Sequence, residues 1–374
     1  MPALTWETLR ELAGFRSGSG CAVSLFLGLD PSTAPTAADA ETRLRALLSH
    51  AEKEPAGRER GHQQKAALRA DVERIREWWK SEFRRDGLRG LALYASSADG
   101  LWRTLPLAEH VPDGVSVGSE LALVPLVPLV GRDNGALVAF VGRERGLVFR
   151  LTGGRLEEVV DESEEQPGQH DQGGWAQARY QRHIDKLVAD HLRNIGSELD
   201  RRVRRARPEL VLVAPEELRN ELLAKLSTET REAVVGWTEA DAYATPTDLL
   251  EVVRPVLDDA RATRERELVD RWRDELGRGG KATAGWSDTL ATASDGTVEV
   301  LLVDPSADRA ANRCPECGRA YAEPGPCPLD GSELEPRSGV DLAAHVVLGS
   351  GGTVLAAGGN ELGAHEGIGA LLRF

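Results

Sequence analysis

The chain has 374 residues, and at roughly 150 residues per domain that length calls for two or three domains rather than one small module. Lys and Arg number 46 against 60 Asp and Glu, a net charge of −14, which excludes a surface coated with nucleic-acid-binding charge and leaves only local RNA contact. With 41% hydrophobic and 28% charged residues the composition is globular, neither disordered nor collagen-like. The first fifteen residues, MPALTWETLRELAGF, show no basic stretch followed by an apolar one, so no secretory signal is expected. The most apolar run, LALVPLVPLV at 121–130, is about half the roughly 20 residues a spanning helix needs and holds two prolines. It is expected to be a strand or buried loop, and no membrane partner is expected. Four cysteines, three of them between 314 and 327, make no disulfide framework and point to a reducing cytoplasmic location.

In chain order, CAVSLFLGLD at 21–30 predicts a first strand that stops at Asp30-Pro31, and residues 36–85, dense in helix formers and broken at Pro55-Ala-Gly57, predict two helices. LRGLALYAS and LWRTLPLA read as strands around a turn at Ser97–Gly100, with VPDGVSVG an exposed connection. A first α/β domain is therefore expected over 1–130. A second, over 131–243, opens with β runs in ALVAFVGRERGLVFRLTGGRLEEVV, passes through the polar loop 161–174, and continues as a long amphipathic helix. In that helix Tyr180, Ile184, Leu187, Val188, Leu192, Ile195, Leu199 and Val203 recur every three or four residues until Pro208. LVLVAP is a buried strand and PEELRNELLAKL a helix. The third domain, 244–374, starts with a helix behind Thr245-Pro-Thr247; VEVLLVD then gives a strand, and AAHVVLGSGGTVLAAG a β run, a glycine turn and another run.

The string CPECGRAYAEPGPCPLDG places Cys314 and Cys317, then Cys327 and Asp330, at matching two-residue spacings, each pair with Pro after its first member and Gly after its second. That is the outline of a zinc ribbon inserted at 312–335. Three thiolates and a carboxylate can close a tetrahedral shell, and a closed shell is structural rather than catalytic; a degenerate, metal-free pair of turns stays open. Cys21, inside an apolar strand, is a core residue.

Between 176 and 207 nine basic residues face four acidic ones, beginning with Arg179, Arg182 and Lys186. Such a stripe either tracks RNA phosphates or is a solvated helix face behind a glycine loop. The loop HDQGG with Gly173 and Gly174, the nearby Gln177, the basic helix and the closing EGIGALLRF resemble the archaeal and eukaryotic class 1 peptide chain release factors. More specifically, GGWAQARYQRH resembles their bacterial relatives, the bacterial archaeo-eukaryotic release factor family grouped with ribosome quality-control peptidyl-tRNA hydrolases.

The resemblance implies three α/β domains: a release-factor-like first domain, an RNase H-like middle domain with the GGxxQ loop, and a three-layer αβα last domain with an inserted zinc-ribbon-like knuckle. It implies codon-independent hydrolysis of the peptidyl-tRNA ester on stalled ribosomes or large subunits. Gly173, Gly174 and Gln177 would be catalytic, and Arg179, Arg182, His183 and Lys186 would hold large-subunit rRNA or the tRNA. A structural zinc and a delivering translational GTPase follow from the same resemblance; DNA is no expected partner. In release factors the glycines and glutamine are contiguous, whereas here Trp175 and Ala176 intervene. Residues 1–130 also lack the Asn-Ile-Lys-Ser element and Tyr/Cys motif that read stop codons. The alternative within the family is a non-catalytic A-site binder acting in hibernation or rescue. A nuclease is disfavoured, because 135–160 shows no carboxylate cluster for two metal ions.

Overall fold

A computed structural model describes residues 4–18, 21–53, 61–132, 134–143, 145–161, 175–357 and 361–374, with the backbone alone at 175–185. The chain folds as a mixed α/β protein with four sheets among the described residues, gathered into two compact units, one from 1–131 with 265–374 and one from 132–264. The stretch expected as the third domain, 244–374, falls across both units, its residues 244–264 lying in the second. No described helix is long and apolar enough to cross a membrane.

The first unit begins with helix α1 (Trp6–Ala13), capped by the Thr5 hydroxyl on the Thr8 N–H. Strand β1 (Ala22–Gly28) lies at the centre of an antiparallel sheet. Helices α2 (Ala37–Lys53) and α3 (His62–Ser81) follow, then the hairpin β2 (Gly90–Ser96) and β3 (Leu101–Leu107). The stretch expected as an exposed connection instead supplies strand β4 (Gly114–Gly118), which pairs with β1 and gives the order β3-β2-β1-β4. Its Val115 and Val117 pack against the core under α2 and α3, so tertiary burial overrides the local turn signal.

β1 is buried on both faces because each face has its own core. Val23, Leu25 and Leu27 point to α2 and α3. Ala22 and Phe26 join a second core that takes in Leu9, Leu12, the 121–129 segment and residues of the C-terminal part. The 121–130 run is a 3-10 turn at Val124–Leu129 rather than a strand. It is held down by two polar side chains of the sheet: Ser24 Oγ accepts from the Ala122 N–H at 3.0 Å, and the Tyr94 hydroxyl donates to the Ala122 carbonyl at 2.9 Å. Burial pushes the Tyr94 hydroxyl pKa far above its usual value.

The second unit opens with an antiparallel meander, β5 (Leu137–Val141), β6 (Gly146–Thr152) and β7 (Arg155–Asp161). Helix α4 (Trp175–Ala206) leads to strand β8 (Leu210–Val213), helices α5 (Glu216–Leu223) and α6 (Thr228–Ala233), and strand β9 (Val234–Thr238). β8 runs parallel to β5 and β9 parallel to β8, giving the order β7-β6-β5-β8-β9. Val188, Leu192, Ile195, Leu199 and Val203 of α4 bury against one sheet face, the stripe expected from their spacing. Helix α7 (Pro246–Gly277) opens with a capping box between Thr245 and Asp248 and covers the other face through Leu249 and Val253.

The last stretch of α7 belongs to the first unit, where Val269 and Trp272 cover one face of a second sheet. That sheet is β10 (Ala282–Ala284), β11 (Val298–Val303), β15 (Thr353–Ala356) and β16 (Ile368–Leu372), in the order β10-β16-β11-β15. Its other face carries α8 (Trp286–Ser294) and α9 (Gly339–Gly349), so three layers form. AAHVVL, expected as a β run, is therefore the buried helix α9. Ser338 caps its start on the Asp341 N–H, and apolar contact on every side removes the one-faced periodicity that marks a surface helix. Between β11 and α9 stands a separate three-stranded sheet, β13-β12-β14, made of β12 (Ala310–Arg313), β13 (Ala320–Tyr321) and β14 (Glu335–Ser338).

Candidate metal centre and basic helix

β12 ends at Arg313 and delivers Cys314 directly into a tight turn. There the Cys314 N–H donates to the Arg319 carbonyl and the Gly318 N–H to the Cys314 carbonyl, at 2.9 and 3.1 Å. Thirteen residues on the pattern repeats: Cys327 N–H to Ser332 carbonyl and Gly331 N–H to Cys327 carbonyl, at 2.7 and 2.9 Å. Gly318 and Gly331 both hold φ near +76°, which a side chain would oppose, so the glycine after each second ligand is a backbone requirement. The turns set Cys314, Cys317, Cys327 and Asp330 so that one ligand atom from each lies within 4.8 Å of the others.

The separations fit a tetrahedral ion. Two sulfurs at about 2.3 Å from zinc are about 3.8 Å apart, and a sulfur and a carboxylate oxygen about 3.5 Å. Cys317 Sγ and Cys327 Sγ lie 3.7 Å apart, and Cys314 Sγ lies 3.2 and 3.6 Å from the two Asp330 oxygens. The Ser332 N–H and hydroxyl hold the Asp330 carboxyl well below the usual carboxylate range, so it stands anionic beside the thiols. Cys317 is pushed up to about 11: the Arg319 N–H favours its thiolate, but burial and the neighbouring Cys314, Cys327 and Asp330 outweigh it. Four such groups around one point want a divalent cation. Cys314 and Cys327 are buried with Leu334 in a cluster bordered by Tyr321, whose hydroxyl is 3.5 Å from Cys327 Sγ. An ion held here would have all four positions filled by protein, with no open site for substrate or activated water.

The second candidate region starts at the N-terminus of α4. Gly173 and Gly174 lie outside the described residues. Gln177 is the third residue of α4, and Arg179, Arg182 and His183 follow in its first three turns, where the backbone alone is described. Lys186 is exposed. Further along, the basic charge is answered largely by the chain's own acids. Arg193 pairs with Asp190 at 2.5 Å, Arg201 and Arg202 both bind Glu198 at 2.6 Å, and Arg204 reaches Asp200 at 3.9 Å. Burial pushes Glu198 up, but the bonds from Arg201 and Arg202 outweigh it and its net shift is down. Asp200 also accepts from the Ser227 N–H and hydroxyl at 3.0 and 2.9 Å, fixing the start of α6 to α4. The C-terminal part of the stripe is thus bound up in local structure. Glu157 and Glu158 are exposed on β7, and the cysteine cluster is the single group among the described residues that could hold a metal ion.

Sequence reasoning missed a set of buried polar residues that join the two halves of the first unit. Glu120 binds Arg313, with side-chain exposures of 9% and 20%. Asp341 Oδ1 accepts from the Leu123 and Val124 N–H groups at 3.0 and 3.2 Å. The His345 ring lies between the Ala13 and Leu121 carbonyls, at 3.1 and 2.5 Å. No local pattern marks these residues, because their partners are far away in sequence.

The model of bacterial archaeo-eukaryotic release factor family 10 matches residues 122–275, which include the whole of α4 and most of α7. Peptide chain release factor subunit 1 of Archaeoglobus fulgidus is 24% identical over 235 residues, 58% of each chain. Its counterpart in Methanocaldococcus jannaschii is 25% identical over 240 residues, 59% of this chain and 52% of the relative. The chain thus matches a little over half the length of these relatives. Among solved structures, archaeal translation termination factor aRF1 aligns over 98% of this chain and 96% of its own, at 14% identity and a TM-score of 0.26. Dom34 of S. cerevisiae aligns over 76% and 79%, at 13% identity and a TM-score of 0.38. Through its 122–275 segment the chain resembles bacterial archaeo-eukaryotic release factor family 10, and over a little more than half its length it is similar to archaeal peptide chain release factor subunit 1.

Proposed function

We propose that the protein associates with stalled ribosomes or large subunits and hydrolyses the peptidyl-tRNA ester without a stop codon. The observation that carries this reading is the family match over 122–275, which contains Gln177 and the basic start of α4. The meander and two parallel strands of β7-β6-β5-β8-β9 support an RNase H-like middle unit as the platform. Gly173 and Gly174 supply a loop thin enough to enter a crowded RNA site. Gln177, a neutral amide, donates to the developing oxyanion or accepts from the attacking water; it positions rather than deprotonates. Arg179, Arg182, His183 and Lys186 hold rRNA or the tRNA acceptor end. The cysteine ribbon carries a structural zinc held by Cys314, Cys317, Cys327 and Asp330, a translational GTPase delivers the protein, and the site of action is the cytoplasm.

One observation favours a second reading, a ribosomal A-site binder without hydrolysis. Trp175 and Ala176 separate the glycines from Gln177, and α4 already begins at Trp175, so Gln177 sits inside a helix rather than at a loop tip. Peptide release from stalled nascent-chain complexes with an empty A site, by the wild type and by Gln177→Ala, separates the two. Release lost in the variant is the expected result. Binding by both with release by neither makes the protein a plug, and no co-sedimentation with ribosomes refutes both.

A further inference from the structure

We propose that metal binding in the ribbon is coupled to the docking of the N-terminal half of the first unit, residues 4–131, on its C-terminal half; this rests on the ribbon holding a metal. The links run through residues that adjoin the ligands. Arg313 immediately precedes Cys314 and grips Glu120 of the N-terminal half in a mostly buried ion pair. Leu334 packs on Cys314 and Cys327, and the next residue, Glu335, lies 3.9 Å from Arg16. β14, which pairs with β12 from Ala310 to Arg313, runs without a break into α9. α9 carries Asp341, on the Leu123 and Val124 N–H groups, and His345, on the Ala13 and Leu121 carbonyls.

The ribbon cannot hold this arrangement by itself. Ala311, Ala320 and Ala322 tie its base to the core that holds α8 and α9, but the two turns enclose only Cys314, Cys327 and Leu334 with Tyr321 at the edge, too little burial to order them without a metal. Losing the ion therefore loosens the turn directly after Arg313 and the strand β14 that leads into α9, and Arg313 and α9 grip the same stretch, Glu120–Val124. Linkage makes the effect reciprocal: whatever factor zinc adds to docking, docking adds to zinc affinity.

The test uses the full chain, with zinc content by elemental analysis and hydrogen exchange followed by peptide. Zinc removal under reducing conditions is expected to speed exchange at 119–131 and 4–17 by at least about tenfold, while 137–157 keeps its protection. Glu120→Gln, which touches no ligand, is expected to retain one zinc, lose protection at 119–131, and bind zinc about three- to tenfold more weakly in competition with a chromophoric chelator. Zinc that binds and leaves with exchange changing only at 310–338, or unchanged zinc affinity in Glu120→Gln, overturns the coupling alone. A folded wild type that takes up no zinc overturns the metal reading and the coupling with it.

Discussion

Gly369 in the closing strand carries no side chain because an indole occupies the space. A Cβ at Gly369 would lie 2.7 Å from Trp272 Nε1 and 2.8 Å from Cε2 and Cζ2. Trp272 is fully buried, is packed with Val269, Val300, Leu302 and Leu371, and donates from Nε1 to the Thr283 carbonyl at 2.9 Å. Gly369 itself is fixed by pairing with Ala284 on one side and Leu302 on the other. In Gly369→Ala, then, either the strand or the ring must move. Overpacking costs about 1–3 kcal/mol. Turning the ring also loses a hydrogen bond of about 1 kcal/mol and leaves a buried carbonyl unpaired. A total of about 2–4 kcal/mol lowers the midpoint by about 4–16 °C for a unit of this size. Thermal melts of the full chain followed by circular dichroism, with urea titration as a second axis, measure it. The variant Gly369→Ala/Trp272→Phe is expected to be little worse than Trp272→Phe alone, because the smaller ring makes room. A single variant that melts within about 1 °C of the wild type, or strict additivity in the pair, refutes the close-approach argument.

Three further outcomes are expected. The Ser32 hydroxyl and N–H together with Arg89 hold the Asp30 carboxyl well below its usual range; a folded pKa below the unfolded value of about 3.9 stabilises above about pH 4 and is lost as pH falls, so Asp30→Asn flattens the acid limb of the urea-midpoint profile, and an unchanged limb contradicts it. Asp330→Cys replaces the carboxylate with a softer thiolate and tightens zinc by roughly tenfold in a chelator competition; equal or weaker binding means that Asp330 is not a ligand. On ribosomes at graded salt, Lys186→Ala is expected to reduce the salt slope by about one phosphate contact, while Arg201→Ala, whose charge is held by Glu198, leaves it unchanged; equal effects would mean that the ion pairs of α4 open on binding.

What could be read from the sequence was what depends on near neighbours. The stripe Val188 to Val203 states its own helix, and the knuckle residues state their own turns, since pairing partners lie within a few positions. α9 and β4 were misread because their conformation is decided from outside: α9 is apolar on every side under the second sheet, and β4 acquires its pattern by pairing with β1. α6, β9 and α8 are short and carry too little pattern to stand out. The fastening residues were the least legible, for Arg313 and Glu120 are 193 positions apart, and nothing near either one announces the other.

The core shared by the two ends of the chain sets an order of events during synthesis. Leu121, Leu123, Leu126 and Leu129 bury in the core with α9 and β15, whose residues are made some 200 positions later. At about 5–20 residues per second the ribosome needs roughly ten to forty seconds to supply them. Through that interval the first sheet can close over α2 and α3 on one side only, and its other face waits as an apolar surface in need of a chaperone. Residues 132–264, which carry both of their own cores, can meanwhile finish folding. The birth of this molecule thus runs from the middle outward, and its first residues are among the last to settle.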